Sequence, residues 1–368
     1  MSEIQDLSES LHRRARAMIR AFEQKRPMPE RFDAIAMDLA RFQAAHVAGY
    51  GRLCAARGID PRAIFRADQA PAVPADAFRL GRVFAFAEED ARFVFRTSGT
   101  TLGARGRHEM RHTLTYDAAA LASGRAMLAP DLSGPVPVLV IGPSEAEAPD
   151  SSLAHMFAVF ARAFGVPGSR ETTFVRGGAI ELNALRDCVA SLRSDVPAIV
   201  LSTSLALVHL IDRLGDEVLH LPRASRIVQT GGFKGKSRAA SPSELRRAIA
   251  RCFAADERAI VGEYGMTELS SQFWEATLAD PGAAPGVYVE PPWARVVPVD
   301  PASLEPMSPG EVGIARIEDL ANVDSAWAIL TQDRVRRVEG GFELLGRATG
   351  AVPRGCSIAL DEMLSPSR

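Results

Sequence analysis

The chain has 368 residues, of which 47% are hydrophobic and 24% are charged, and its formal net charge at pH 7 is −2. This composition is typical of a soluble globular protein with one large or two ordinary domains, and it excludes a disordered chain. The small net charge excludes a general affinity for nucleic acid, and no apolar run reaches the roughly 20 residues that span a bilayer. The acidic first residues do not resemble a secretion signal, so we expect a cytoplasmic protein.

The N-terminal part is predicted to be helical. Apolar residues recur at helical spacing up to about Arg66, in the runs LHRRARAMIRAFEQ and FDAIAMDLARFQAAHVAGYGRLC. The proline-containing stretch QAPAVPADAF that follows predicts an extended linker.

From Phe93 onward the pattern changes to alternating strands and helices. The predicted strands are FVFR, VPVLVIG, AIVLST, SRIVQTG and AIVGEYG. The predicted helices are TYDAAALASGRAML, SLAHMFAVFARAF, LALVHLIDRL and SELRRAIARCF. This alternation predicts an α/β sheet with helices on its faces. In such folds, ligands bind at loops that leave the carboxyl ends of strands.

After Glu290 the pattern is rich in strands again, and the Gly340-Gly341 pair predicts a hairpin. We therefore expect three parts of one domain. They are a mostly helical segment of residues 1–90 packed on the main domain, an α/β core of residues 91–290, and a β-rich part of residues 291–368.

A run of hydroxyl residues around a glycine follows the predicted strand FVFR. It consists of Thr97, Ser98, Gly99, Thr100 and Thr101. Backbone amides of a glycine-containing turn, together with Ser and Thr hydroxyls, cradle phosphate oxygens. An ordinary polar turn after a strand is the alternative.

Three basic residues follow this run. Arg105 and Arg107 are suited to phosphate, which arginine binds with two donors. His108 ends the segment and is a candidate to contact the phosphate or the acid substrate. The predicted phosphate loop therefore extends from Thr97 to His108.

Other nucleotide motifs are absent. The stretch GGFKGKS at Gly231–Ser237 approaches a Walker loop, but Thr230 stands where the motif needs glycine. GxGxxG and GxSxG do not occur, which disfavours a Rossmann cofactor and a serine hydrolase.

The ordered set TSGTT, GGFKG, YGMTE, TQD and FELLGR, between Thr97 and Arg347, resembles the adenylate-forming (ANL) superfamily of acyl and aryl ligases. The stretches RTSGTT…RGRH, TGGFKG and GFELLGRATGAVPRGCS resemble the LuxE-type acyl-protein synthetases, which are long-chain-fatty-acid–protein ligases. The resemblance covers roughly the whole chain. It implies the large N-terminal domain of an adenylate-forming enzyme, with layered sheets and helices.

The resemblance also implies roles for individual residues, with ATP and Mg²⁺ as cofactors. The adenine pocket would be lined by Gly231 and Gly232, with Tyr264 and Gly265 against the base. Thr267 would reach the phosphate that is adenylated, and Glu268 would hold Mg²⁺. Asp333 would bind the ribose hydroxyls, and Arg347 would assist at the ribose or phosphate. A turn residue at Asp333 and a surface ion pair at Arg347 are the alternatives.

The full-length ligases carry a further small mobile domain with a lysine that acts near the carboxylate. Because this sequence ends at Arg368, we expect that domain to be missing or vestigial. The chain has only three lysines, Lys25, Lys234 and Lys236, so Lys234 or Lys236 is the candidate for the missing charge.

The cysteines Cys54, Cys188, Cys252 and Cys356 are widely spaced, which disfavours a zinc site and predicts free thiols. Cys356 lies in Arg-Gly-Cys-Ser, for which we expect a turn. In LuxE-type enzymes a cysteine near the C-terminus accepts the acyl group, and we expect Cys356 to do so, with a nearby arginine lowering its pKa. A cysteine on a terminal strand is the alternative.

The sequence therefore predicts formation of an acyl-AMP from a carboxylic acid, such as a fatty acid, followed by acyl transfer to a thiol. The acceptor is Cys356, an acyl-accepting or carrier protein, or coenzyme A, and a reductase is a plausible partner from the family. Two alternatives stay open: a ligase that loads a carrier or an amine in a biosynthetic pathway, and a non-catalytic nucleotide-binding protein that retains the fold.

Overall fold

The computed structural model describes residues 3–97, 105–167, 172–231, 241–348 and 354–364. The α-helices in these residues are α1 (Glu3–Glu23), α2 (Phe32–His46), α3 (Ala48–Ala56), α4 (Ala77–Leu80), α5 (Leu114–Met127), α6 (Ser152–Phe164), α7 (Leu182–Ala190), α8 (Ser204–Leu214), α9 (Pro242–Phe253) and α10 (Arg354–Leu364). The strands are β1 (Val73–Pro74), β2 (Phe93–Arg96), β3 (Arg107–Met110), β4 (Val138–Ile141), β5 (Thr172–Thr173), β6 (Val175–Arg176), β7 (Ala179–Ile180), β8 (Ile199–Thr203), β9 (Arg226–Thr230), β10 (Ile260–Tyr264), β11 (Phe273–Glu275), β12 (Val287–Val289), β13 (Ala294–Val299), β14 (Val312–Asp319), β15 (Ala328–Val338) and β16 (Gly341–Arg347). Within these ranges no helix is both long and apolar enough to cross a bilayer.

The chain forms two compact units. The first unit comprises Met1–Ala122, Met266–Gln272 and Glu290–Arg368. The second comprises Ser123–Gly265 and Phe273–Val289. The three-part division at residues 90 and 290 stays a prediction.

The second unit is built on a mixed sheet in the order β12-β11-β10-β9-β8-β4-β5. Strands β10, β9, β8, β4 and β5 are parallel, and β11 and β12 are antiparallel to their neighbours. The predicted strands and helices of this region are confirmed at β4, α6, β8, α8, β9, α9 and β10. Helix α7 and the β6–β7 hairpin were not predicted.

Helices cover both faces of this sheet. Trp274 and Glu275 are successive residues of β11, so their side chains point to opposite faces. The Trp274 ring contacts Phe160 of α6, and Glu275 pairs with Arg246 of α9. The α9 side holds a large apolar core, to which α7, α8 and α9 contribute leucine, isoleucine and phenylalanine side chains. Burial of this apolar area is the main favourable term for folding the unit.

The first unit contains the antiparallel strands β13, β14, β15 and β16 in sequence order, with β1 parallel to β15. The predicted Gly340-Gly341 hairpin is confirmed between β15 and β16, and Gly340 has a φ of 81°, in the left-handed region that favours glycine. The strand before this hairpin, β15, is a single long strand of 11 residues. A separate hairpin pairs β2 with β3.

Helix α1 is anchored in the first unit through a buried polar cluster. His12 lies between the Thr115 hydroxyl at 2.8 Å and the Asp324 carboxylate at 3.3 Å, and Arg111 donates to Asp324 at 2.8 Å. His12 and Arg111 hold the pKa of Asp324 well below its usual range, although burial opposes them. A buried carboxylate is stable only when charged and hydrogen-bonding partners surround it in this way.

Candidate active site

The predicted phosphate loop begins and ends on the β2–β3 hairpin. Thr97 follows β2, and its backbone N–H donates to the Gly106 carbonyl at 3.0 Å. The Gly106 N–H donates to the Thr97 hydroxyl at 2.9 Å. A Cβ on Gly106 would lie 2.9 Å from the Thr97 methyl, so glycine is required for this close approach. Ser98, Gly99, Thr100 and Thr101 lie outside the described residues.

The two arginines of this loop contact protein groups. Arg105 donates to the Thr97 carbonyl at 2.6 Å. Arg107 pairs with Glu88 at 2.8 Å and with the buried Glu109 at 2.9 Å. Two carboxylates therefore compete with phosphate for the guanidinium of Arg107.

His108 is buried and holds the loop that contains Thr267. Its Nδ1 lies 2.7 Å from the Thr267 carbonyl oxygen. A carbonyl only accepts hydrogen bonds, so Nδ1 carries the proton and donates. Phe78 meets the ring edge-on and Phe84 stacks against it. Burial lowers the pKa of His108 to about 4, although the Thr267 hydrogen bond opposes the shift, and the ring is therefore neutral at pH 7.

Glu268 follows directly and is buried as well. Burial raises the pKa of its carboxyl to about 7. Arg347 opposes this shift, and Asp333 and Asp76 add to it through their charges. The Glu268 backbone carbonyl accepts a hydrogen bond from Asn322 at 2.7 Å. The loop is therefore held at both neighbouring peptides, by His108 and by Asn322.

Further along, the same loop is fixed by Asp319. The Asp319 carboxylate accepts from the Ser270 N–H at 2.9 Å and from the Ser271 hydroxyl at 2.6 Å. All three residues are buried. These bonds tie the residues that follow Glu268 to the end of β14.

Asp333 and Arg347 are brought together across two strands. They are register partners on β15 and β16, and the Arg347 Nε lies 3.7 Å from the Asp333 carboxylate. The Arg347 side chain is 63% exposed, so this surface ion pair contributes little to stability and leaves the guanidinium accessible.

Sequence reasoning missed Asp76, which lies between β1 and α4. Its carboxylate accepts a hydrogen bond from the Gln332 side chain at 3.1 Å, and its charge acts on Glu268 and on Cys356. In the sequence, Asp76 is one acidic residue in the linker VPADAF, far from Gln332 and without a motif. No local signal could have found it.

In the second unit, the predicted adenine residues lie at the carboxyl ends of neighbouring parallel strands. Gly231 follows β9, and its carbonyl accepts from the Ser204 hydroxyl at 2.5 Å. Tyr264 ends β10 and its ring stacks on Phe273, and Gly265 follows it. Gly232, Lys234 and Lys236 lie outside the described residues, so the roles predicted for them stay predictions.

One position shown by the structure was not predicted. Glu263 of β10 is fully buried and accepts a hydrogen bond from the Thr230 hydroxyl of β9. Burial raises the pKa of Glu263 to about 7, with the Thr230 hydrogen bond opposing the shift. Its position beside Tyr264 in the apolar strand IVGEY gave no sign of this partner, because pairing between strands cannot be read from one segment.

The local environment expected for Cys356 was wrong. Cys356 lies in the first turn of α10, and its side chain is buried with Sγ 3.9 Å from the Thr331 carbonyl. Burial raises the pKa of the thiol to about 11, and the charge of Asp76 adds to this. The expectation of a turn with a lowered thiol pKa is therefore corrected. Whether Cys356 accepts an acyl group stays a prediction.

A single carboxylate, that of Glu268, is the predicted magnesium ligand, and such a carboxylate is compatible with a magnesium ion that also binds nucleotide phosphates. Among the described residues, no group of three or more His, Cys, Asp or Glu side chains is arranged to hold a metal ion. Mg²⁺ does not need such a cage, because it is commonly bound by one or two carboxylates together with substrate phosphates and water. Two open depressions, of about 670 Å³ beside Arg337 and about 570 Å³ beside Arg31, contain none of the predicted site residues.

No protein-family model matches the sequence, and no curated protein matches it. Solved structures do match. A 2-hydroxyisobutyryl-CoA ligase in an open conformation, in complex with 2-HIB-AMP and CoA, matches with a TM-score of 0.62 at 13% identity, over 86% of this chain and 74% of that chain. The same ligase in the postadenylation state with 2-HIB-AMP matches with a TM-score of 0.61 at 13% identity, over 86% of this chain and 67% of that chain.

An ATP-bound RpMatB-BxBclM chimera matches with a TM-score of 0.50 at 16% identity, over 72% of this chain. This chain covers 49% of the chimera, or about half its length. At these identities the likeness defines the fold. The chain has the mixed α/β fold of these structures, and the α/β fold class predicted from the sequence is confirmed.

Proposed function

We propose that this chain activates a carboxylic acid with ATP, forming acyl-AMP and releasing pyrophosphate. The observation that carries the proposal is the arrangement in the first unit, where the Thr267–Glu268 loop is fixed by His108 and Glu268 is within electrostatic reach of Asp333 and Arg347. The resemblance assigns the phosphate, metal and ribose roles to these residues. The ligases of the same fold support the proposal, since their structures contain ATP or an acyl-AMP.

In this reaction, a carboxylate oxygen of the acid attacks the α-phosphorus of ATP. A new phosphorus–oxygen bond forms while the bond from the α-phosphorus to the bridging oxygen breaks, and pyrophosphate leaves with that electron pair. Arg347 supplies a positive charge, and Thr267 lies in a loop fixed by His108. Asp333 accepts hydrogen bonds from the ribose hydroxyls. A magnesium ion held by Glu268 would neutralise phosphate charge.

The second step of the proposal is acyl transfer to a thiol. The Cys356 thiol is buried, and its raised pKa leaves little thiolate at pH 7. This favours an external thiol, such as coenzyme A or the phosphopantetheine of a carrier protein, as the acceptor in the conformation described here. Acylation of Cys356 itself requires α10 to move first.

The proposal also includes a narrower enzyme class within the adenylate-forming enzymes. The stretches RTSGTT…RGRH, TGGFKG and GFELLGRATGAVPRGCS support a LuxE-type acyl-protein synthetase that acts on a fatty acid, with an acyl-accepting protein or a reductase as partner. The four cysteines are free, which supports a cytoplasmic location. The adenine roles of Gly231, Tyr264 and Gly265 are part of the same proposal.

The test is acid-dependent exchange of labelled pyrophosphate into ATP in the presence of Mg²⁺, with short, long, branched and aromatic acids. Exchange with one class of acid would support adenylation and name the substrate class. Nucleotide binding without exchange for any acid would overturn the proposal in favour of a non-catalytic nucleotide-binding protein. Movement of acyl label to added coenzyme A or carrier, compared between wild type and Cys356→Ala, would identify the acceptor.

A further inference from the structure

The segment that leads into Asp76 extends the sheet of the first unit. Strand β1 pairs in parallel with β15, with Val73 opposite Ile329 and Pro74 opposite Leu330. The Ala75 N–H continues the ladder by donating to the Leu330 carbonyl at 2.9 Å. Asp76 comes next, and its carboxylate accepts the hydrogen bond from Gln332. Backbone pairing therefore delivers Asp76 to the part of β15 just before Asp333.

Asp333 lies at the edge of an irregularity in the ladder between β15 and β16. The register between β15 and β16 shifts between Asp333 and Val335, which marks a β-bulge or irregularity. A bulge re-aims a side chain and leaves the local pairing incomplete. Side-chain bonds beside this irregularity therefore contribute to where the Asp333 carboxylate points.

Gln332 is held on two sides, by its side chain and by a backbone bond that continues the β15–β16 ladder. Its side chain donates to Asp76, and its carbonyl accepts from the Ala348 N–H at 2.8 Å. The Asp333 N–H donates to the Thr331 hydroxyl at 3.0 Å. Of these bonds, the one to Asp76 ties the bulged segment to a separate part of the chain.

The same short segment also reaches the other half of the candidate site. Phe78, two residues after Asp76, packs edge-on against His108 with the ring centroids 5.7 Å apart. His108 in turn holds the Thr267 loop. The β1–α4 segment therefore contacts Gln332, which precedes Asp333, and His108, which holds the Thr267–Glu268 loop.

We propose that Asp76 is a positioning residue, which clamps Gln332 and thereby sets the Asp333 carboxylate for the nucleotide ribose. This inference rests on the proposed function, because it assumes that Asp333 binds ATP. In this role Asp76 acts through Gln332, and its ability to accept a hydrogen bond matters more than its charge.

Asp76→Asn and Asp76→Ala separate these two properties. The Asn side chain still accepts a hydrogen bond from Gln332 but carries no charge, whereas Ala removes both. Arg79→Ala is the matched control, because Arg79 is an exposed residue that also pairs with Asp76, at 3.4 Å. Gln332→Ala removes the same hydrogen bond from the opposite side.

The experiment measures binding of Mg²⁺-ATP and of Mg²⁺-2′-deoxyATP by calorimetry for the full chain. We expect Asp76→Ala and Gln332→Ala each to weaken ATP binding about tenfold, and the double variant to be no worse than either single one. The ATP affinity of Asp76→Asn should stay within about twofold of wild type, and the ATP affinity of Arg79→Ala should equal that of wild type. Preference for ATP over 2′-deoxyATP should fall in Asp76→Ala, which a general loss of stability would not produce.

Three results would overturn the inference. The first is that Asp76→Ala binds ATP as tightly as wild type. The second is that Asp76→Asn and Asp76→Ala lose ATP affinity equally. The third is that the losses of ATP affinity in the two single variants add up in the double variant. If Asp76→Ala does not fold, Gln332→Ala and Asp76→Asn decide between the same outcomes. Wild-type protein that binds no ATP would overturn the proposed function as well, whereas ATP binding that does not depend on Asp76 overturns only the present inference.

Discussion

The Nδ1–H group of His108 donates a hydrogen bond of 2.7 Å to the carbonyl oxygen of Thr267, and this bond joins the end of the predicted phosphate loop to the loop that carries Glu268. The two loops lie far apart in the sequence. Because the ring is buried between Phe78 and Phe84, the bond is shielded from water, and its loss would leave a carbonyl without its partner.

We therefore expect His108→Ala to reduce pyrophosphate exchange by roughly tenfold or more, since an unsatisfied buried group costs about 1–3 kcal/mol. His108→Asn should recover part of the activity, because the Asn amide donates from nearly the same position as Nδ1. The measurement is the exchange rate at saturating acid, with exposed His220→Ala as control. Equal activity of wild type and His108→Ala would contradict the role given to this bond.

Glu268 should set the requirement for Mg²⁺. Glu268→Gln keeps the shape of the side chain and removes its charge, so we expect the Mg²⁺ concentration for half-maximal exchange to rise by roughly tenfold to a hundredfold. For Glu268→Asp, the Mg²⁺ concentration for half-maximal exchange should lie between those of wild type and Glu268→Gln. The measurement is a Mg²⁺ titration of exchange, with Glu263→Gln as a control that removes another buried carboxyl. An unchanged Mg²⁺ requirement in Glu268→Gln would exclude it as a ligand.

Asp333 should make the protein selective for the ribose. Removing the carboxylate in Asp333→Ala takes away an acceptor of charged hydrogen bonds, so we expect ATP binding to weaken by roughly tenfold to a hundredfold. The ratio of the affinity for ATP to the affinity for 2′-deoxyATP should fall towards one at the same time. Arg334→Ala, a change at the exposed next residue, is the matched control. Retained preference in Asp333→Ala would place the ribose elsewhere.

Part of this arrangement could be predicted from the sequence. The apolar runs at Gly231 and Tyr264 predicted strands of an α/β sheet, and the rule that ligands bind at the carboxyl ends of strands predicted both residues at such ends. β9 and β10 confirm that placement of the strands. The strand prediction succeeds here because a strand that is buried on both faces of a parallel sheet is a continuous apolar run.

Other features depend on tertiary contacts, which a local pattern does not contain. Arg107 has the right residue type for phosphate, yet Glu88 and Glu109 pair with it from elsewhere in the fold. Gly355 suggested a turn, but a Cβ there would lie 2.5 Å from Leu304, so the glycine allows close helix packing instead. The helix α10 and the buried Cys356 follow from that packing.

Burial should make Cys356 unreactive in the folded protein. With a pKa of about 11 instead of the ordinary 9.0, its thiolate fraction at pH 8 is lower by on the order of a hundredfold. We expect iodoacetamide to modify it far more slowly than the half-buried Cys188, as measured by peptide mass spectrometry, and denaturation to remove the difference. Faster labelling after addition of ATP and acid would show that α10 moves. Rapid labelling at pH 7 without ligands would contradict the buried thiol.

Glu263 should make the stability of the folded chain depend on pH. Burial raises the pKa of this carboxyl from its ordinary 4.5 to about 7, so the folded state binds the proton more tightly than the unfolded state. The resulting stabilisation is fully present below pH 4.5 and is lost as the pH rises through about 7. The difference corresponds to on the order of 3 kcal/mol at pH 8.

Glu263→Gln cannot ionise and still accepts the hydrogen bond from Thr230, so it should not show this loss. We expect the free energies of unfolding of wild type and Glu263→Gln to diverge as the pH rises from 4.5 to 8, with the variant more stable at pH 8. Urea unfolding at a series of pH values measures this, and exposed Glu305→Gln should follow wild type. Parallel curves for wild type and Glu263→Gln would mean that Glu263 ionises as readily in the folded as in the unfolded chain.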